Sequence, residues 1–236
     1  GEEIEEFKPS GAAEIRQAGY EFDRMRKRIL RHLNQRSEML SGISHDLRTP
    51  LTRMKLQIAF IKDKELANKL ADDINEMEKM LNEYLQFASS TSSEKSEKFN
   101  LSHLILNIIN KYENKNITSE ITEEIFMDGR KNLITRCINN LIDNSIKYAN
   151  KVNIQLSKSN NNNILIIDDN GPGIEQKEYE NVFKPFYKID KSRGDSKSSV
   201  GLGLSIASDI IRSHGGNIML DKSPYKGLRV KIFFPF

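Results

Sequence analysis

The stretch NNLIDNSIKY, Asn139 to Tyr148, decides how the second half of this chain folds. It closes the longer run DGRKNLITRCINNLIDNSIKYA, whose apolar positions recur at helical spacing and predict a helix starting near Asp128. Asn140 and Asn144 stand four residues apart and so share one helix face, with Lys147 and Tyr148 one turn further on. Two amides and a lysine on one face have two readings. One is a solvated surface that tolerates asparagine. The other is a face built around a metal and a phosphate, because an amide oxygen is a hard ligand suited to Mg²⁺.

Outward from this helix the pattern is mixed. NLSHLILNIINKY opens with Asn100 as a candidate N-cap and reads as helix. KVNIQLSKS and NILIIDDN flank an Asn-rich turn at residues 160–163 and predict a hairpin; NIMLDKS and LRVKIFFPF predict a second. Between the hairpins lie a helix near Glu175 to Val182, a polar loop, and a helix from about Gly201 to Ser213. Helices and strands that do not alternate strictly predict an α+β sandwich, not a doubly wound sheet.

Two glycine motifs punctuate this half. DDNGPGI ends an apolar strand with Asp169, Asn170, Gly171, Pro172 and Gly173, and alone it would pass for a turn. GLGLSIASDII places Gly201 and Gly203 just before a helix, where backbone N–H groups can approach phosphates. The second motif does not match the spacing of a P-loop, nor does it follow a strand as a dinucleotide-binding fingerprint should.

The first half is helical throughout. From Phe22 the apolar positions step by three, four and seven through Met25, Ile29, Leu33, Leu40, Ile43, Leu47, Met54, Ile58 and Ile61. After a break at KDKE (Lys62 to Glu65) the pattern resumes with Leu66, Leu70, Ile74, Met77, Leu81, Tyr84 and Leu85. Such a hairpin leaves one apolar side uncovered, so two chains are expected to pair as a four-helix bundle. Within it, SHDLRTPLTR carries His45 off the apolar seam, with Asp46 adjacent, Thr49 one turn on, and Pro50, which should bend the helix. Asp46 could orient the imidazole tautomer and leave the other ring nitrogen free to attack. SSTSSEKSEK, residues 89–98, is polar and aperiodic and reads as a linker.

Composition sets the outer bounds. The 236 residues are 37% hydrophobic and 29% charged with a net charge of +3 from interspersed acids and bases, which argues against a nucleic-acid surface. A single cysteine, Cys137, sits in an apolar helical pattern and reads as core. His32, His103 and His214 lack the setting of a catalytic or metal-binding group and are expected to be structural. There is no apolar run of about 20 residues. The chain starts at Gly1, so a membrane anchor elsewhere in a longer protein stays open.

Taken in order, these motifs resemble those of sensor histidine kinases of two-component systems. SHDLRTPLTR is similar to the H box of the HisKA dimerisation and phosphotransfer domain, of the EnvZ type. NNLIDNSIKY, DDNGPGI, FKPFYK (Phe183 to Lys188) and GLG resemble the N, G1, F and G2 boxes of the GHKL, or HATPase_c, ATP-binding domain. Residues before them, KPSGAAEIRQAGYEFDRM, resemble the second half of a HAMP relay. The implied layout is a partial HAMP and entry helix at 1–30, HisKA at 31–88, linker at 89–98 and the catalytic domain at 99–236.

By this resemblance His45 is the phosphoacceptor, Asp46 its base, and Thr49 serves dephosphorylation of the partner regulator. Asp169 would bond the adenine amino group, and Asn144 would ligate Mg²⁺. Asn140 and Lys147 would approach the phosphates of ATP, and Tyr148 would line the base pocket. Gly171 and Gly173 would form the G1 turn. Gly201 and Gly203 would accommodate phosphates at the end of a lid near Tyr187 to Val200. GHKL ATPases carry a glutamate where this chain has Asn140, and an amide cannot act as general base. A departure lies at Ser199 and Val200, where the family usually has Gly and then Thr or Ser.

The expected protein is the cytoplasmic portion of an inner-membrane sensor, anchored through segments missing from this chain. It would be a homodimer that phosphorylates itself and then the aspartate of a response-regulator receiver domain. The rival readings are a predominant phosphatase or pseudokinase, a GHKL ATPase, and a coiled-coil adaptor without chemistry.

Overall fold

The computed structural model describes residues 12–88, 94–112, 116–121, 123–159, 162–189 and 201–235. The side chain of His45, and Ser199 and Val200, lie outside the described residues. The chain divides into two compact units, 1–92 and 93–236.

The first unit is a helical hairpin. α1 (Ala13–Ile58) has 46 residues, so at ~1.5 Å per residue it is about 70 Å long. It runs unbroken through Pro50. The chain then turns on Phe60 N donating to Gln57 O at 3.1 Å and Ile61 N to Ile58 O at 3.0 Å. Asp63 caps the return helix α2 (Lys64–Ala88): its Oδ1 accepts from the N–H groups of Glu65 at 3.0 Å and Leu66 at 3.2 Å. The hairpin packs on Leu51 and Ile74, both buried. The Lys55–Glu78 ion pair at 2.7 Å crosses from one helix to the other. Most of the seam is left open: Ile43, Leu47, Met54, Leu70 and Met77 are all exposed. Among the described residues no helix is long and apolar enough to cross a membrane.

The second unit is an α+β sandwich. Its elements are β1 (Glu97–Asn100), α3 (Leu101–Ile109), β2 (Ile117–Ile121), β3 (Phe126–Gly129), α4 (Lys131–Tyr148), β4 (Val152–Ser159), β5 (Asn162–Asp169), α5 (Gly203–Ser213), β6 (Asn217–Lys222) and β7 (Leu228–Pro235). Five strands form one sheet in the order β2-β4-β5-β7-β6, and β1 pairs with β3 separately. Only β2–β4 is parallel in the large sheet. One sheet face, with Ile154, Leu165, Ile167, Val230, Ile232 and Phe234, is buried beneath helices that contribute Ile105, Ile134, Ile138, Leu141, Ile142 and Ile210. Period-two alternation in the strands and a broad apolar stripe on α4 make this layer possible. Cys137 sits fully buried in it, and burial pushes its thiol up to about 12.

Both predicted hairpins form, and Asn100 caps α3 by accepting from His103 N at 3.0 Å. Other expectations are corrected. The helix near Glu175 to Val182 is two single 3-10 turns, Gln176–Glu178 and Asn181–Phe183. Val182 is the buried residue of that segment, too little apolar surface to offset the cost of nucleating a longer helix. α4 begins at Lys131, not near Asp128, because Asp128 and Gly129 pair with Lys98 and Glu97 in β3–β1. That pairing also draws the last two residues of the expected linker into a strand.

Candidate functional site

The polar stripe of α4 flanks its buried face on the side where α5 packs. Asn140, Asn144 and Lys147 are half-buried there, at positions set by the helical repeat. Asn140 Nδ2 and Lys147 Nζ are shielded from solvent, and neither meets a hydrogen-bond partner among the described residues. Such orphaned donors are costly unless something accepts from them. Lys147 Nζ lies 5.2 Å from the centre of the Tyr148 ring, and Tyr148 itself is exposed.

The C-terminal end of α4 meets the loop after β5. Adjacent aspartates at the end of β5 point to opposite sheet faces, as strand geometry requires. Asp168 is buried on the outer face in a bidentate pair with Arg229, at 2.9 and 2.8 Å. Asp169 is buried on the helix-covered side, where its Oδ1 accepts from Gly171 N at 2.9 Å and Leu228 N at 3.0 Å. No described donor reaches its Oδ2. Burial raises the Asp169 pKa, while the two N–H donors pull it back down. Asn170 fastens the loop to the end of α4, its Oδ1 accepting from Asn150 N at 3.0 Å and Lys151 N at 2.9 Å. A Cβ at Gly171 would stand 2.8 Å from the Tyr148 carbonyl oxygen, so α4 and this loop touch at backbone level. Gly173 faces Gly227 across the same junction.

At the other end of the stripe, Gly203 begins α5, and a Cβ there would lie 4.0 Å from Asn140 O. Gly201 holds φ +81, and Phe186 N donates to its carbonyl at 3.0 Å. A side chain at 201 would press on Tyr187 O, so this position demands glycine where 203 does not. Of the expected lid, residues 190–200 lie outside the described residues. Tyr187, at its start, donates its hydroxyl to Glu178 at 2.5 Å.

In the hairpin unit, Asp46 and Thr49 are exposed on α1, with half-buried Pro50 beside them. His214 is structural: its Nε2 accepts from Arg130 N at 3.0 Å and its Nδ1 donates to Ile210 O at 2.7 Å. His103 is exposed and 3.6 Å from Glu124, an acid that its immediate sequence does not show. Three residues of the site escaped sequence reasoning. Gly227 faces Asp169 across the fold, and its KG turn signal said nothing of that contact. Asn170 sits inside a recognised motif with no role attached to it. Arg136, one turn before Asn140, reads as ordinary helix surface yet is half-buried.

The residues fit an anionic nucleotide with a hard divalent ion. One end offers a buried carboxylate oxygen, the middle an amide oxygen at Asn144, and the stripe two orphaned donors. Comparison with known proteins bears on the ATP-binding domain and not on the ion. Residues 129–236 match the family described as histidine kinase-, DNA gyrase B- and HSP90-like ATPase, and residues 35–93 match the His Kinase A (phospho-acceptor) domain. The sensor histidine kinase GtrS of Pseudomonas aeruginosa is 34% identical over 229 residues, covering 95% of this chain and 47% of that protein. CpxA of Escherichia coli is 27% identical over 241 residues, covering 96% and 52%. The chain thus spans about half the length of the curated relatives it matches. Among solved structures, full-length ShkA in complex with AMPPNP matches 84% of this chain and 46% of its own, with a TM-score of 0.67 at 17% identity. The mycobacterial sensor histidine kinase MprB matches 59% and 97%, with a TM-score of 0.52 at 24% identity. These two likenesses speak for the fold. With a phospho-acceptor domain followed by an ATP-binding sandwich, the chain belongs to the sensor histidine kinases of two-component systems.

Proposed function

We propose that the chain moves the γ-phosphoryl group of ATP to His45 and from there to an aspartate of a response-regulator receiver domain. The observation that carries this reading is the α4 stripe. Its orphaned donors at Asn140 and Lys147 lie between the buried Asp169 carboxylate and the glycines that open α5. Asp169 would accept from the adenine amino group through Oδ2, since Oδ1 is held by two backbone N–H groups. Tyr148 would flank the base, and Gly171 and Gly173 would let the turn lie close to it. Lys147, the Asn140 amide and the N–H groups after Gly201 and Gly203 would hold the phosphates. Asn144 would ligate Mg²⁺, which when bound neutralises charge on the phosphates. Because Asn140 carries an amide and no carboxylate, it cannot activate water by proton removal, which favours transfer over hydrolysis.

At the acceptor, Asp46 would hold the ring proton on one nitrogen of His45 while the other attacks phosphorus. The new P–N bond forms as the bond to the ADP oxygen breaks. Thr49, one turn along, would position water for the reverse duty of dephosphorylating the regulator. The open seam of Ile43, Leu47, Met54, Leu70 and Met77 supports a homodimer, since apolar strips of this extent on a hairpin want covering. We read residues 1–30 as the end of a HAMP relay, and the whole as the cytoplasmic part of an inner-membrane sensor of the EnvZ type.

Incubation of the whole chain with γ-labelled ATP and Mg²⁺ tests this. Acid-labile, alkali-stable label on the protein, lost in His45→Ala, is expected. Label that persists in that variant would remove His45 as acceptor. Free phosphate without labelled protein would favour an ATPase.

A further inference from the structure

Arg136 is a charged side chain for which the mechanism above has no use. It lies one helical turn before Asn140 on the polar stripe of α4. Its Nε and Nη2 are both shielded from solvent, and neither finds an acceptor among the described residues. A guanidinium in this state is normally held by a carboxylate or phosphate, whose planar or clustered oxygens match its fork of donors. Burial without a counter-ion also pulls its pKa down.

The polarity of the stripe says which anion would suit it. Gly171 approaches the Tyr148 carbonyl, so the C-terminal end of α4 is the end that meets Asp169. Gly203 stands off Asn140 O, so the glycines that open α5 lie more than two turns back along the helix. Arg136 extends that line by one further turn, past Asn140 and away from Asp169. On the reading that ATP lies along this stripe with adenine at Asp169, the group furthest from the base is the terminal phosphoryl.

Resting on that reading, we propose that Arg136, together with the Asn140 amide, binds the terminal phosphoryl group of ATP and so distinguishes ATP from ADP. The two nucleotides share the remaining contacts, so Arg136 and Asn140 separate the loaded from the spent state of the site. A charged donor to phosphate of this kind is worth about a 10- to 100-fold change in affinity.

Titration calorimetry on the full chain tests the assignment, with Mg²⁺ and either AMPPNP or ADP, in wild type, Arg136→Gln and Arg136→Lys. The Gln variant is expected to bind AMPPNP about 10- to 100-fold more weakly and ADP within about twofold of wild type. The Lys variant should recover part of the loss, since it keeps the charge without the fork. Without nucleotide, the Gln variant is expected to melt at or above the wild-type temperature, since it removes a buried charge that has no counter-ion among the described residues, so weaker binding would not come from unfolding. Equal losses for both nucleotides, or none for either, would overturn the assignment while leaving the proposed function intact, because wild type would still bind. A wild type that binds neither nucleotide would overturn the functional reading and this inference with it.

Discussion

Asp169 and Gly227 touch across the sheet: the aspartate Oδ1 and carbonyl occupy the space that a side chain at 227 would need. The contact is made possible by the antiparallel pairing of β5 with β7, which runs through Asp168 and Arg229 and brings the turn before Leu228 onto the end of β5. Leu228 N then donates to Oδ1 of the carboxylate at 3.0 Å, and no described donor reaches Oδ2.

Gly227→Ala should therefore be felt in both stability and binding. Overpacking against backbone and a fixed carboxylate costs about 1–3 kcal/mol, and displacement of Asp169 should weaken ATP binding as well. Gly203→Ala is the matched control, because its added Cβ would meet nothing nearer than Asn140 O at 4.0 Å. That variant should stay within roughly 0.5 kcal/mol of wild type. Urea unfolding of the two variants checks this, and similar losses in both would show that close approach is not what requires glycine at 227.

Asp169→Asn should separate binding from folding. The wild-type carboxyl has its pKa raised chiefly by burial, so ionisation costs stability above that raised value and the cost is relieved as pH falls through it. An amide keeps an acceptor for the Gly171 and Leu228 N–H groups and removes the buried charge. The variant should melt at or above the wild-type temperature near neutral pH, yet bind ATP about 10- to 100-fold more weakly. Unchanged ATP affinity, measured by calorimetry, would remove Asp169 from base recognition.

His214 predicts a pH dependence of the opposite sense. Its ring must accept from Arg130 N at Nε2 while donating to Ile210 O at Nδ1, which only the neutral form can do. Burial is the main cause of its lowered pKa, with the Arg130 charge adding and the Ile210 bond opposing. A depressed histidine contributes stability that is fully present above its unfolded value of 6.5 and is lost as pH falls below it toward the folded value. Between pH 7.5 and 5.5 the wild type should lose more stability than His214→Gln. Parallel pH profiles would show that His214 is not held neutral.

How much of this could be read in advance depended on range. Asn140, Asn144 and Lys147 share a face because an α-helix repeats every 3.6 residues, and that is a local property. The Asn100 cap and both hairpins are local as well, each settled within a few residues. By contrast, β2 shows little alternation, with its three central residues exposed, and becomes a strand because β4 pairs with it in parallel from more than 30 residues away. Asp128 and Gly129 of β3 fall inside the predicted helix because their pairing partner, β1, lies across α3.

The amino-acid sequence by itself determined the chemistry on offer: the SHDLRTP run, the spacing of the amides on α4, and the DDNGPG and GLG turns. Each rests on helical or turn geometry within a dozen residues. Only the tertiary structure decided which oxygen of Asp169 is held by backbone, that Gly227 must be bare, and that donor atoms of Asn140, Lys147 and Arg136 are shielded from water with no hydrogen-bond partner among the described residues. Those facts arise where β5 meets β7 and where side chains lose water, and burial depends on what packs from afar.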